Sequence, residues 1–340
     1  MKSLRPIEII GGGLAGLSLG LALRRQGVPV SVSEAGSYPR HRVCGEFIAG
    51  LSDSTVAQLG LEPFLSDALQ HHEVSWFLEG KLARRQHLPS PARALSRYRL
   101  DARLANAFVE AGGRLQTQAR VCVGQAKAGC VLTTGRRRTT SPWIGLKIHA
   151  LNLPLECDLE LHLGAESYIG LTRVENGRVN VCGLFRRREL VAQGAALIIN
   201  YLRAAKLTVL ADRLAGADFD GESFSAVAAM GFDQHVPANC SVTLGDACAM
   251  IPPFTGNGMA MAFQSAAAAL DPLLSYTRGE AEWPTTCAAV QTTLKNCFRL
   301  RLATAKVLHP FVLEPVRQRW LTRLSRAHLL PLRPLYFALH

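Results

Sequence analysis

Long apolar runs are missing from this chain of 340 residues. The uncharged stretch near the N-terminus, Ile9 to Leu23, falls short of the roughly 20 residues that a bilayer span requires, and no other run is long and apolar enough. Glu8 precedes the stretch and Arg24 and Arg25 close it, which is not the order of a secretory signal. The nine cysteines form no Cys-x-x-Cys, and no set of His, Cys and carboxylate residues has metal-ligand spacing, so no metal site is expected. Reduced thiols in a cytoplasmic protein are the reading that remains. No Ser/His/Asp triad is indicated. Acids are in deficit, with 26 Asp and Glu against 38 Lys and Arg, a net charge of +12. Much of the excess is arginine at 136–138, at 186–188 and in a C-terminal series. Such clusters attract nucleic acid, anionic lipid or an acidic substrate. No helix-turn-helix, zinc-finger or RNA-binding signature accompanies them, so nucleic acid is set aside. There is no internal repeat, and the one biased tract, "SAAAAL" from Ser265 to Leu270, reads as helix.

What is present begins at Ile7. "IEII" reads as a short buried strand, followed by Gly11, Gly13 and Gly16 at GxGxxG spacing. Gly11 permits the tight turn, Gly13 lets a pyrophosphate approach the backbone, and Gly16 lets the next helix pack close to the strand. The free N–H groups at that helix start then face phosphates. A second strand, "VPVSVSE", ends in Glu34, about 20 residues beyond the glycines, where an acid can bind a ribose hydroxyl pair.

Further along, "LSDSTVAQLGLEPFLSDAL" reads as helix with a cap at Ser52. "LPSPARALS" (88–96) reads as a connector, and "RLDARLANAFVEAGGRL" as a helix ending at Gly112-Gly113. Short strands are expected around 115–123 and 129–133. From about Ile144 to Phe185 the pattern alternates like strands, with Asn176-Gly177 as a hairpin signal. "ELVAQGAALIINYLRAA" reads as helix. In "LGDACAMIPPFTGNGMAMA" a strand ends at Gly245-Asp246, Pro252 and Pro253 stiffen the loop, and Gly256-Asn257-Gly258 opens a helix free of charge as far as Asp271. An acid after a strand can accept from a ribityl or ribose hydroxyl. A glycine-rich helix start can turn N–H groups toward an electron-rich ring edge.

With these motifs in view, the sequence resembles the flavin-dependent monooxygenases of the aromatic-hydroxylase type and their geranylgeranyl-reductase and halogenase relatives. The likeness covers nearly all the chain. It rests on Gly11 to Gly16 with Glu34, on "RVCGEF" (Arg42 to Phe47), "SRYRLDARL" (Ser96 to Leu104), "GLKIH", "GRVNVCGLF" and the Gly245-Asp246 to Gly258 string. "CGE" and "GLK-x-H" point to the geranylgeranyl-reductase-like branch. The resemblance implies an α/β fold: a Rossmann-like, glutathione-reductase-like FAD-binding domain (1–75, 96–143, 236–275), an inserted antiparallel sheet as substrate domain (76–95, 144–235) and a helical C-terminus (276–340). It implies an FAD site of Gly11, Gly13, Leu14, Ala15, Gly16, Glu34, Ala35, Arg42, Cys44, Arg97, Val121, Gly245, Asp246, Pro253, Gly256, Asn257, Gly258 and Met259. Glu34 would hold the adenosine ribose, Asp246 the ribityl–pyrophosphate region, and Pro253 with the 256–258 turn would border the ring.

The implied activity is that of an FAD-dependent oxidoreductase. The favoured form is a monooxygenase that uses a flavin C4a-hydroperoxide on an aromatic, polyketide-like or alkene substrate. A reductase of unsaturated, isoprenoid-type lipids and a flavin-binding accessory acting on a partner protein in cofactor maturation stand as alternatives. The reductant is NAD(P)H or a partner reductase. The partner is a hydrophobic small molecule or another protein. Two departures narrow this. The Asp-Gly motif of aromatic hydroxylases reads Thr134-Gly135-Arg136, which counts against direct NADPH use. The tryptophan-halogenase W-x-W-x-I-P signature is absent.

Three residues or segments carry open alternatives. Cys44 is either a flavin-side residue or a small buried one. His149 is a substrate contact or, as the better reading, a satisfied structural histidine. With Pro253 these two are the catalytic-side candidates. The C-terminal segment from Val316 to Leu330 has helical spacing that groups Trp320, Leu321, Leu324 and Ala327, with Arg317, Arg319, Arg323 and Arg326 on other faces, and ends at Pro331. That helix covers a core, the favoured reading, or lies on an anionic membrane surface, which would place the protein at the inner face of the membrane.

Overall fold

The computed structural model describes residues 3–122, 127–136, 139–232, 240–327 and 329–340. Arg137, Arg138, the end of the strand expected to reach 123 and the expected boundary at 236 lie outside them.

The first sheet is parallel throughout. Its strands lie in the order Val242–Thr243, Cys130–Leu132, Ile7–Ile10, Val30–Ser33, Arg114–Gln116. The helix Leu14–Arg25 leaves the central strand, and every residue from Leu14 to Leu23 is buried. A helix that is apolar all round belongs inside a core, which here surrounds it together with the helices Arg97–Glu110 and Gly258–Arg278. Arg24 and Arg25 end it by donating to backbone carbonyls, among them Val28 O at 2.7 Å and Leu59 O at 3.0 Å.

Among the described residues the second sheet has eight strands: Asp218–Ala228, Trp143–Leu151, Arg178–Arg186, Ser167–Arg173, Leu159–Gly164, Leu69–Leu78, Lys81–Ala94, Phe47–Ile48, in that order. Neighbours pair antiparallel except Leu69–Leu78 with Leu159–Gly164, which run parallel. The turn at Asn176-Gly177 has φ of 61° and 68°, the left-handed pair that the dipeptide predicts. Alternation along the strands divides two faces. Leu146, Ile148, Ile169, Leu171, Val179 and Val181 pack under the helices Gly194–Ala204 and Thr208–Ala215. Gly145, Tyr168, Gly170, Thr172, Cys182 and Leu184, on the other face, turn toward the first sheet and line a cavity.

Several expectations are corrected. The connector expected at 88–96 is mostly strand, since Lys81–Ala94 runs through it; Pro89 and Pro91 sit where the register with Leu69–Leu78 slips between His71 and Glu73. A proline cannot donate to a ladder, and such an irregularity is where a sheet accepts it. The strand Leu69–Leu78 crosses the expected boundary at 75/76, so this sheet begins earlier in the chain. The helix expected from Leu51 to Leu69 is two pieces, Asp53–Leu59 capped by Ser52 and Glu62–Leu65, broken at left-handed Gly60. The helix expected from Glu189 begins at Gly194. The C-terminus is helical: Trp283–Leu313, Pro315–Arg326 and Leu332–Leu339. No described helix is long and apolar enough to cross a membrane.

Candidate functional site

Between the two sheets lies a cavity of about 1020 Å³, at the upper end of what small-molecule sites span. Its floor is the carboxyl end of the parallel strands, where ligands of open α/β sheets bind. Of the residues expected from the sequence, all but Gly16, Asn257 and His149 line it. Segments more than 200 residues apart in the chain thus meet at one wall.

The glycines divide by what a side chain would meet. Gly11 has φ of +112°, and a Cβ there would strike the Thr133 carbonyl. A Cβ on Gly16 would strike the Gly11 carbonyl oxygen and come within 2.6 Å of Thr133 Oγ1. These two serve strand–helix packing. Gly13 and Gly258 differ: a Cβ on either meets no protein atom within 4 Å, and both line the cavity. The space in front of them is open for a ligand. Gly256 is left-handed at φ 72° and packs on Phe47.

Charged side chains frame the same wall. Glu34 is buried; its carboxylate accepts from Gly12 N at 2.7 Å, Gly36 N at 2.9 Å and Arg40 Nη2 at 2.7 Å. Asp101 has no exposed surface and receives Arg97 Nε at 2.7 Å, Arg97 Nη2 at 2.8 Å and Arg42 Nε at 2.9 Å. Sequence reasoning missed it, although "RLD" contains it. Arg40 Nε and Arg42 Nη2 are buried without a hydrogen-bond partner. Buried donors of this kind call for an acceptor, and phosphate or ribose oxygens would supply one. Burial pushes the Asp246 carboxyl up, with Arg97, Arg136 and Arg42 pulling it back. Burial likewise raises the Cys44 thiol, against the pull of Arg97. Cys44 is therefore a neutral thiol at the wall, without the depressed pKa of a nucleophile.

His149 is not on the cavity. It has no exposed surface, and Nε2 lies 2.6 Å from Glu46 Oε2. Glu46 also accepts from Arg97 N at 3.0 Å, and fully buried Lys147 stands 3.7 Å from Glu46 and 3.0 Å from His41 Nδ1. Burial disfavours charge on Glu46, but His149 and Lys147 outweigh it and hold the carboxyl low. Burial lowers Lys147, and lowers His41 to about 4. Among the described residues, ligand atoms of His41, Glu46 and His149 lie within 4.8 Å of one another. Lys147 Nζ fills the space beside them. A further string, Gly16-Leu17-Ser18-Leu19-Gly20, has the spacing of a hydrolase nucleophile elbow. Ser18 is fully buried inside a helix with Oγ bonded to Leu14 O at 2.6 Å, so it offers no nucleophile.

The fold is shared with known proteins. PqsL, a probable FAD-dependent monooxygenase from Pseudomonas aeruginosa, is 19% identical with a TM-score of 0.71, over 92% of this chain and 97% of that one. A geranylgeranyl bacteriochlorophyll reductase-like protein from Thermoplasma acidophilum is 15% identical, TM-score 0.70, over 91% and 88%. The flavin-dependent brominase Bmp2, as a triple mutant, is 14% identical, TM-score 0.71, over 89% and 88%. No protein-family model and no curated protein matches the sequence. The chain has the fold of FAD-dependent monooxygenases, halogenases and geranylgeranyl reductase-like proteins.

Proposed function

We propose that the cavity binds FAD and that the protein is a flavin-dependent oxidoreductase, a monooxygenase acting on an aromatic, polyketide-like or alkene substrate, with NAD(P)H or a partner reductase as electron source. The observation that carries this reading is the open space before Gly13 and Gly258 in a cavity walled by Glu34, Arg42, Arg97 and Asp246. FAD, when bound, supplies the redox chemistry. The chain's own residues do the rest. The helix start at Leu14 turns N–H groups toward phosphates. Glu34 offers acceptor oxygens to a ribose, and Arg40 and Arg42 bring unused donors. Leu161, Leu163, Leu184, Phe254 and Val312 line the opposite part of the cavity and exclude water from an apolar substrate. PqsL has been solved with 2-aminobenzoylacetate, which supports an aromatic substrate in this fold.

The test is direct. Purified protein should be yellow, with close to one FAD per chain, and Glu34→Ala should weaken binding by about 1.5–3 kcal/mol through loss of charged hydrogen bonds. A colourless protein that takes up no added FAD overturns the proposal. Spectra of the reduced protein mixed with O2 and candidate substrates then separate oxygenase from reductase.

A further inference from the structure

We infer that the C-terminal helices form a docking surface for an anionic lipid bilayer. From Trp283 to His340 the chain holds nine Lys and Arg and a single acid, Glu314, so this segment carries +8 of the net +12. The same segment holds a run of exposed large apolar side chains: Leu300, Val307, Val316, Trp320, Leu324, Leu329 and Phe337. Solvent normally selects against that combination on a helix that packs with its apolar side inward. In Pro315–Arg326 only Leu321 of the expected stripe packs on a core, beside Val312 and Leu313, while Trp320, Leu324 and Ala327 stay exposed. Gln318, Thr322 and Ser325 are buried instead, Gln318 donating to Gly164 O at 2.7 Å and to Val312 O at 2.9 Å. Trp320 remains 57% exposed, with the Arg323 guanidinium 5.6 Å above its ring. An aromatic beside an arginine on an exposed basic helix suits the headgroup boundary, where each has its preferred medium.

The occupant follows from charge and from the cavity behind the surface. Exposed and cavity-lining residues alternate along this wall: Leu329 is exposed and Leu330 lines the cavity, while Tyr336 lines it and Phe337 is exposed. Apolar side chains of this segment therefore face both the cavity and solvent. A fluid anionic surface matches scattered arginines without the shape fit that a folded partner would need, and it covers the apolar side chains between them. Entry of an apolar substrate from that surface rests on the proposed function; attachment does not, so vesicle binding and FAD binding can fail independently.

The experiment is flotation of the full chain with vesicles of phosphatidylcholine, with and without phosphatidylglycerol, at low and high salt. Binding is expected only with the anionic lipid, with a blue shift of Trp320 fluorescence that Trp320→Ala removes. Each basic residue at such a surface contributes about 1 kcal/mol, so Arg323→Gln with Arg326→Gln should lower partitioning by roughly thirtyfold. Raised ionic strength should weaken it. The side chains are exposed, and an unchanged urea midpoint verifies that the variants fold. Failure to float with anionic vesicles at low salt, equal binding to neutral ones, or full binding by the variants overturns the inference. Capture by an acidic polypeptide without vesicle binding overturns it in favour of a protein partner.

Discussion

Asp101→Ala takes away a carboxylate with no exposed surface that receives three hydrogen bonds from two guanidinium groups. The two arginines do not lose equally. Arg42 is 25% exposed at its side chain and retains Glu34 at 3.8 Å, so it can turn to water or to that acid. Arg97 is 13% exposed, and its Nε and Nη2 both donate to Asp101. It would be left as a buried, unpaired cation. Breaking such a pair from one side costs about 3–5 kcal/mol, a large share of a total stability of about 5–15 kcal/mol. Asp101→Asn retains an acceptor oxygen but loses the charge and sets an amide against a guanidinium, so its loss should be smaller, about 2–3 kcal/mol. Urea denaturation without FAD at neutral pH measures both variants, and FAD titration follows the disturbance of Arg42 and Arg97 at the cavity wall. The expected order is wild type, Asn, Ala. A loss under about 1 kcal/mol for Asp101→Ala would mean that water satisfies Arg97, and the burial argument would be refuted.

Two further predictions separate packing from ligand space and charge from burial. Gly258→Val should leave the urea midpoint close to wild type and cut FAD affinity at least roughly tenfold, since its branches enter open cavity; Gly16→Ala should destabilise the fold by about 3 kcal/mol through overpacking. Equal behaviour of the two variants would contradict this division. His41, His309 and His340 are each held by burial at about 4, below an ordinary 6.5. The unfolded chain then binds protons that the folded one refuses, so stability should fall as pH drops from about 6.5 toward 4. Urea midpoints at pH 7 and pH 5 test the sign, and His309→Gln should flatten the slope; a midpoint that rises on acidification would exclude the mechanism.

The half built on the parallel sheet was legible because its constraints are local. A strand, a left-handed turn at Gly11 and a helix that must approach Thr133 occupy adjacent residues, so spacing alone reports them. The strands Leu69–Leu78 and Lys81–Ala94 were less legible for a physical reason. Much of Lys81–Ala94 is exposed or half-buried, and "ARRQHLPSP" shows no clean alternation because few of its side chains have a core to face. Asp218–Ala228 is an edge strand whose register slips between Asp220 and Ser225, which breaks the period-two pattern. The C-terminal helix misled in another way. Its apolar spacing pointed to Trp320 and Leu324, yet the side that meets Lys81–Ala94 is held by polar bonds, such as Arg84 donating to Ser325 O. A hydrophobic stripe cannot register a face buried through hydrogen bonds.

The cluster around Glu46 was the least visible part, since "CGE" and "GLKIH" lie about a hundred residues apart and neither motif names its partner. Its position explains its composition. The cavity is built from two sheets, and the seam between them needs bonds that fix one against the other. Glu46, at φ 53°, accepts from the start of the helix Arg97–Glu110 and from His149 on the second sheet. Asn180 Nδ2 donates to Cys44 O at 2.9 Å, and Ser96 N donates to Glu175 at 2.9 Å, across the same seam. Apolar side chains of equal volume could fill this space at equal stability, because desolvation offsets most of what a buried ion pair contributes. They would not fix direction as hydrogen bonds do. Arg42, Cys44 and Arg97, the immediate neighbours of these bonded atoms, are the ones that line the cavity. His149 thus touches the cavity wall only through Glu46, and the bonds buried beside it hold that wall in place.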